Sequence, residues 1–368
     1  MDAHVCRACH SASGQLVLDL GDQPASDYFP GAGAPGPDPV YPLRMWLCSS
    51  CALAQLMADP TVPEEPRGRE PAALRAQAVA AVGQVAAAGL LPAGGVVAEY
   101  GSPHGGSWLG LLAERGLTES RTGQADVVLD CFGLMHAADQ GAALAERATR
   151  LAPHGVLLLQ YHALSTIVGA RQWNALRHGH FAYYSAVALT TMLARTGLRP
   201  RTAWQSGLYG GTVLLAATRD GGPPGPADEA VAALLAEDAR IGVTTPAAYV
   251  PLQREVRRHS RAVHDWLVAQ RAAGAAVVGY GAASRAVALL CSAHLDHDLL
   301  PAVIDASPAK QGLRMPGTDI PVTGPGELTA HAPVTVLLLV PDLMAEVRSA
   351  YPEVERAGGR WVDVQTLS

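Results

Sequence analysis

Four of the six cysteines are spaced for a metal ion. Cys6-x-x-Cys9 and Cys48-x-x-Cys51 are two close pairs separated by a hairpin-rich stretch, and a tetrahedral zinc is held when the intervening chain brings two such pairs together. Four thiolates leave no open coordination position, so the ion implied is structural. Cys131 and Cys291 lie in apolar runs and read as small buried hydrophobes. Histidines form the second group. His178 and His180 are two residues apart, which places them on one face of an extended segment. The aromatic run Phe181, Tyr183 and Tyr184 follows them, a wall that would tune an imidazole toward acid–base work near neutral pH. Packing beside aromatic rings is the structural alternative. His136, in Leu134-Met-His136-Ala-Ala-Asp139, opens a helical pattern, where a surface imidazole is the alternative.

These groups need a scaffold, and 368 residues at 49% hydrophobic and 16% charged supply more than one core, since single cores stop growing near roughly 250–300 residues. No run approaches the ~18–20 apolar residues of a membrane span. The net charge of −6, with Lys310 the one lysine, argues against nucleic acid, because phosphate binding needs basic surface. The N-terminus lacks a basic start and an apolar stretch, which predicts a cytosolic protein and thiols rather than disulfides.

Pro- and Gly-rich stretches at 60–71 and 221–226 divide the chain into three domains, over 1–60, 72–220 and 227–368. The fold class expected is α/β. In the middle domain, helical patterns over 72–91, 107–114, 138–151 and 185–196 alternate with strands over 96–101, 125–132, 155–161 and 212–219. The last domain shows helices over 228–240 and 251–273 and strands beginning at 276, 302, 335 and 360, with His259 and His264 on an exposed helix. Gly279-Tyr-Gly-Ala-Ala-Ser284 follows a strand as a dinucleotide loop does, without a third glycine. It reads equally as a nucleotide-binding loop or a structural turn.

The chain resembles the bacterial deoxysugar C-methyltransferases of antibiotic biosynthesis. The resemblance runs almost end to end, through the paired cysteines, Leu18-Asp-Leu-Gly-Asp-Gln-Pro24 with Phe29-Pro30, Gly279-Tyr-Gly-Ala-Ala283, Asp305-x-Ser-Pro-x-Lys-Gln-Gly312 and Pro316-Gly-Thr-x-Ile-Pro321. It implies a zinc module, a class I methyltransferase domain binding S-adenosylmethionine (SAM) and a Rossmann-like C-terminal domain. The substrate implied is a nucleotide-linked 4-keto sugar, held between the last two domains, whose C3 proton leaves before methyl transfer. Acid–base residues of the family match His136 and His180, while a tyrosine is replaced by Arg177 and a glutamate by Gly179.

The SAM loop matches at Glu99, Gly101, Ser102 and Gly105 but carries Pro103, which lacks a backbone donor, and His104 in place of a carboxylate. Between the first helix and fourth strand the family has two further strands, a helix and a ribose-binding acid, which need roughly 25 residues. Residues 116–125 leave room for a loop alone, with Glu119 in a strandless stretch. The domain expected is a truncated methyltransferase-like one. Loss of cofactor-gripping parts beside surviving histidines favours a natural-product enzyme without SAM dependence, using His136 and His180, with His178 and Tyr183, for isomerisation, elimination or cyclisation of a small-molecule intermediate. An active SAM-dependent C-methyltransferase is the alternative, and a non-catalytic partner protein the third reading. Monomer and homodimer both fit.

Overall fold

The computed structural model describes residues 4–34, 37–61, 70–101, 106–219, 229–330 and 333–367. The linker at 221–226 and most of the stretch at 60–71 lie outside them. Strands β1 (Gly14–Pro24) and β2 (Val40–Cys48) form an antiparallel hairpin extended by β3 (Ala54–Leu56). Leu18, Leu43, Met45 and Leu56 on these strands are fully buried, and they join one core with Val263, Leu289 and Leu337 from the C-terminal region. Hydrophobic burial therefore fuses the cysteine-bearing module to the last domain.

Helix α1 (Ala72–Ala87) leads to β4 (Val96–Tyr100), a short α2 (Leu109–Ala113), β5 (Thr118–Glu119) and β6 (Ala125–Cys131). After α3 (Gln140–Arg150) come β7 (Leu151–His162), α4 (Leu164–Gly169), β8 (Ala182–Tyr183), α5 (Ala186–Ala194), β9 (Leu198–Ser206) and β10 (Thr212–Arg219). The six-stranded middle sheet has the order β5-β4-β6-β7-β10-β9. β4 to β7 run parallel and β10 is antiparallel to both neighbours. Near-continuous apolar runs, such as Val127 to Leu129 and Val156 to Leu159, mark strands covered on both faces.

Two expectations need correction here. Residues 116–125 hold more than a loop: Thr118 and Glu119 pair in parallel with Val96 and Val97. A strand of two residues suffices because its partner edge supplies the ladder. A second strand and helix are not accommodated in the five residues before β6. Also, β8 leaves the middle domain altogether. Ala54 pairs with Tyr183 and Gln55 with Ala182, making β8 the fourth strand of the cysteine-bearing sheet.

α6 (Glu229–Ile241) packs on the middle domain, against α4, α5 and β9, with Val231 and Leu234 buried in that core, so the last domain begins after it rather than at 227. The last domain carries α7 (Val250–Ala272), β11 (Ala276–Tyr280), α8 (Ser284–Ser292), β12 (Val303–Ile304), β13 (Val322–Thr323), β14 (Val334–Leu338) and β15 (Arg360–Asp363). Its five strands are all parallel, in the order β13-β12-β11-β14-β15. His259 is not exposed: it is buried on α7, accepting from Trp173 Nε1 at 3.2 Å while Nε2 donates to the Val364 carbonyl at 2.8 Å. Charged neighbours on the same helix concealed this, since the buried face of an amphipathic helix admits a polar ring once both nitrogens are paired. No helix among the described residues is long and apolar enough to cross a membrane.

Candidate functional site

The cysteines meet first. Cys6 Sγ lies 3.5 Å from Cys51 Sγ, and Cys9 Sγ lies 3.6 Å from Cys48 Sγ. All four sulfurs fall within 4.8 Å of one another. Zinc–sulfur bonds of about 2.3 Å at tetrahedral angles would set neighbouring sulfurs about 3.8 Å apart, so this quartet fits zinc. Backbone amides already point at the sulfurs, from Ala8 to Cys6 at 3.4 Å and from Ser50 to Cys48 at 3.3 Å. The contact with Cys6, together with burial, drives the Cys51 thiol far above its ordinary range; a dication among the sulfurs removes that cost.

The knuckle is tied to the histidines. The Arg7 carbonyl accepts from the N–H groups of Gln140 and Gly141 at the start of α3, and Arg7 Nη1 donates to Ala138 O. Its guanidinium lies 4.6 Å over the Phe181 ring. Phe181 N–H in turn donates to Met135 O at 2.7 Å. The turn carrying His136 is held from the other side by Asp130, at the end of β6. That carboxylate is 1% exposed; it accepts from Gly133 and Leu134 N–H at 2.8 Å and from Arg147 Nε at 2.6 Å.

His136 and His180 come together, ring centroids 4.6 Å apart and nearly perpendicular. His136 Nδ1 lies 2.8 Å from Gly179 O. A carbonyl only accepts, so Nδ1 carries the proton and the neutral ring has its lone pair on Nε2. His180 Nε2 accepts from Arg177 Nε at 2.9 Å, which leaves the neutral proton on Nδ1. The pair thus offers one acceptor and one donor nitrogen.

Both rings line a cavity of about 640 Å³ between the middle sheet, the cysteine-bearing module and the last domain. Tyr183 also lines it, but its hydroxyl accepts from Arg177 N–H at 3.0 Å and braces the loop; burial pushes that hydroxyl up. His178 does not share the face of His180. It is buried edge-on to Tyr41, 6.2 Å between centroids, and burial lowers its affinity for a proton. The physical reason is Gly179, whose φ of +81° interrupts the two-residue alternation of an extended segment.

Of the cofactor-loop residues, Ser102 and Gly105 lie outside the described residues. Gly101 follows β4, with open space where a side chain would project. Glu99 accepts from Ser107 Oγ at 2.6 Å and Trp108 N–H at 2.7 Å, tying the start of α2 to β4. Glu119 ends β5 and is exposed beside Arg121 Nε, 3.2 Å away.

Sequence reasoning missed His162, for which the signal was its place at the end of a strand in an open α/β sheet. It lines the cavity, and burial, then the charge of Arg285, lower its pKa to about 4. The unfolded ring titrates near 6.5, so its contribution is fully present above that pH and lost as pH falls toward 4. From pH 7.5 to 4.5 the folded protein is expected to lose roughly 2–3 kcal/mol that His162→Gln does not lose. Urea unfolding of both proteins across that range checks this, and parallel curves would refute it.

Sheet, cysteine module and cavity define a methyltransferase-type α/β protein with an appended parallel-sheet domain. Family models agree in order: "Putative zinc binding domain" over residues 6–64, "Methyltransferase domain" over 102–203 and "C-methyltransferase C-terminal domain" over 207–364. By that succession the chain resembles a C-methyltransferase along most of its length, and residues 207–364 match that family's C-terminal domain. It is similar to the C-methyltransferase NovU of Streptomyces niveus, 28% identical over 236 residues, which cover 63% of this chain and 54% of that protein. The chain thus matches about half the length of this curated relative. Among solved structures, magnesium protoporphyrin IX methyltransferase from Synechocystis is 16% identical over 42% of this chain and 90% of its own, at a TM-score of 0.30. The 1,6-didemethyltoxoflavin-N1-methyltransferase from Burkholderia thailandensis is 14% identical over 45% and 95%, also at 0.30. Likenesses that slight bear no argument.

Proposed function

We propose that this protein is a SAM-dependent C-methyltransferase of natural-product biosynthesis, acting on a nucleotide-linked keto sugar. The expectation of chemistry without SAM is set aside, because the methyltransferase and C-methyltransferase models match consecutively along the chain and the curated relative carries the same activity in its name. The observation that carries the reading is the His136–His180 pair, 4.6 Å apart and facing one cavity beyond the C-terminal ends of the central strands β6 and β7. A carbon beside a carbonyl loses its proton to a positioned base, and an acceptor and a donor nitrogen side by side suit that transfer. The electron pair of the broken C–H bond stays on the substrate as an enolate.

SAM, when bound, supplies an electrophilic methyl group. Gly101, Glu99 and Glu119, at the ends of the neighbouring strands β4 and β5, are the residues of this chain placed to hold it. The exposed Glu119 carboxylate suits a ribose diol, and open space at Gly101 suits close approach of a ligand to backbone. Arg177, bonded to His180, reaches Ser284 Oγ through Nη1 at 2.8 Å at the start of α8, where Arg285 pairs with Asp342 at 2.9 Å and Lys310 also lines the cavity. Arg177 and Lys310 are cations that an anionic nucleotide would meet in the cavity. Its volume is that of a small-molecule site, which spans about 300–1,000 Å³.

Calorimetric titration with SAM tests the reading, with dissociation in the micromolar range expected. Silence at millimolar SAM would sink it. Retained SAM binding without methylation of a nucleoside-diphosphate-linked 4-keto sugar would keep the activity and remove that substrate.

A further inference from the structure

Gly179 stands at the centre of the histidine site with no side chain of its own. Its N–H donates to Asp59 Oδ2 at 2.5 Å and its carbonyl accepts from His136 Nδ1 at 2.8 Å. The direction a Cβ would take is already occupied, since such an atom would lie 3.0 Å from Oδ2 of Asp27. Asp27 comes from the turn after β1, in the cysteine-bearing module. It is 7% exposed and lines the same cavity as His136, His180 and Arg177. A carboxylate this buried acts on the groups beside it through a lower effective dielectric than water.

We propose that Asp27 is a positioning residue of the proton-transfer site, its carboxylate stabilising the imidazolium that forms when the histidine pair takes a carbon-bound proton. This rests on the reading above that the pair performs that transfer. In the step, the substrate C–H bond breaks, the proton goes to an imidazole nitrogen and the electron pair remains as enolate. Asp27 stays ionised throughout. The need for it follows from Arg177: a guanidinium bonded to His180 Nε2 opposes a second positive charge beside it, and an adjacent carboxylate offsets that opposition. Besides Asp27, the charged and titratable groups near the pair are Asp59, Arg177 and Tyr183, and the same cavity is lined by His162, Arg285, Lys310, Glu70, Arg75, Asp305, Asp342 and Glu346, with Tyr209, Tyr280 and Tyr351. The zinc module then contributes a reacting-site charge as well as a metal.

The test compares Asp27→Asn and Asp27→Glu in the full chain. Removing the carboxylate makes the imidazolium less stable, so the histidine titration, followed by nitrogen-15 NMR of His136 and His180, is expected to move about one unit toward lower pH. The turnover number should fall roughly tenfold or more, with SAM affinity and melting temperature kept, and Asp27→Glu should recover part of both. Unchanged histidine titration in a folded Asp27→Asn protein would overturn the proposal. If that variant does not fold, Asp27→Ser gives the same readout. The NMR titration needs no substrate, so absence of methyl transfer in the native enzyme would fail the functional reading without deciding this one.

Discussion

Cys48→Ser is expected to abolish zinc binding and unfold the N-terminal sheet. Cys48 closes β2 and sits 3.6 Å from Cys9 Sγ, so its loss opens a quartet whose zinc, in small modules, contributes on the order of 10–16 kcal/mol. That is comparable to the roughly 5–15 kcal/mol by which whole domains are stable. Unfolding should not stop at the module. β3 pairs with β8, Leu56 N–H donates to Phe181 O, Asp59 holds Gly179 N–H and the Arg7 carbonyl meets the first amides of α3. Each of these contacts positions His136 or His180, so chelation of the native protein should disorder the histidine site as well. Elemental analysis with circular-dichroism melting decides: retained zinc, or a midpoint within about 2 °C of the native one, would refute the assignment.

His180→Ala is expected to lower turnover by roughly 10² to 10⁴-fold with the fold and SAM affinity retained, the range a positioned acid–base group supplies. The ring is buried against His136 and bonded to Arg177 Nε, so its removal takes away both a proton carrier and the group that fixes the guanidinium. Solvent deuterium exchange at the substrate carbon adjoining the carbonyl separates the two contributions. A variant that still exchanges that hydrogen has lost orientation, while one that does not has lost the proton path. A native rate would remove His180 from the mechanism.

Much of this was legible in the residues. The two Cys-x-x-Cys pairs announced a metal because a knuckle is local: four residues fix two sulfurs and the amides that point at them. The apolar runs of β4, β6, β7 and β11 announced doubly covered strands. β9 was not read, because its Leu198–Ser206 run mixes Arg, Pro and Gln with few buried side chains and pairs on one edge alone. β5 and β13 are two residues long, too short for any periodicity to show.

The histidines mark the boundary most clearly. Two residues apart, His178 and His180 share a face of any regular strand, and only the left-handed Gly179 between them sends one against Tyr41 and the other to the cavity. Asp27 lies between the matched Pro24 and Phe29 and His162 at a strand end, but nothing local marked either as lining the histidine cavity. The sequence by itself determined the metal quartet, the parallel-sheet segments and a family resemblance, since spacing and burial period act within one element. The tertiary structure decided which carboxylate and which imidazoles face one another, because those contacts join residues far apart in the chain. They are set by the packing of three sheets against each other, a competition for burial that no local pattern records.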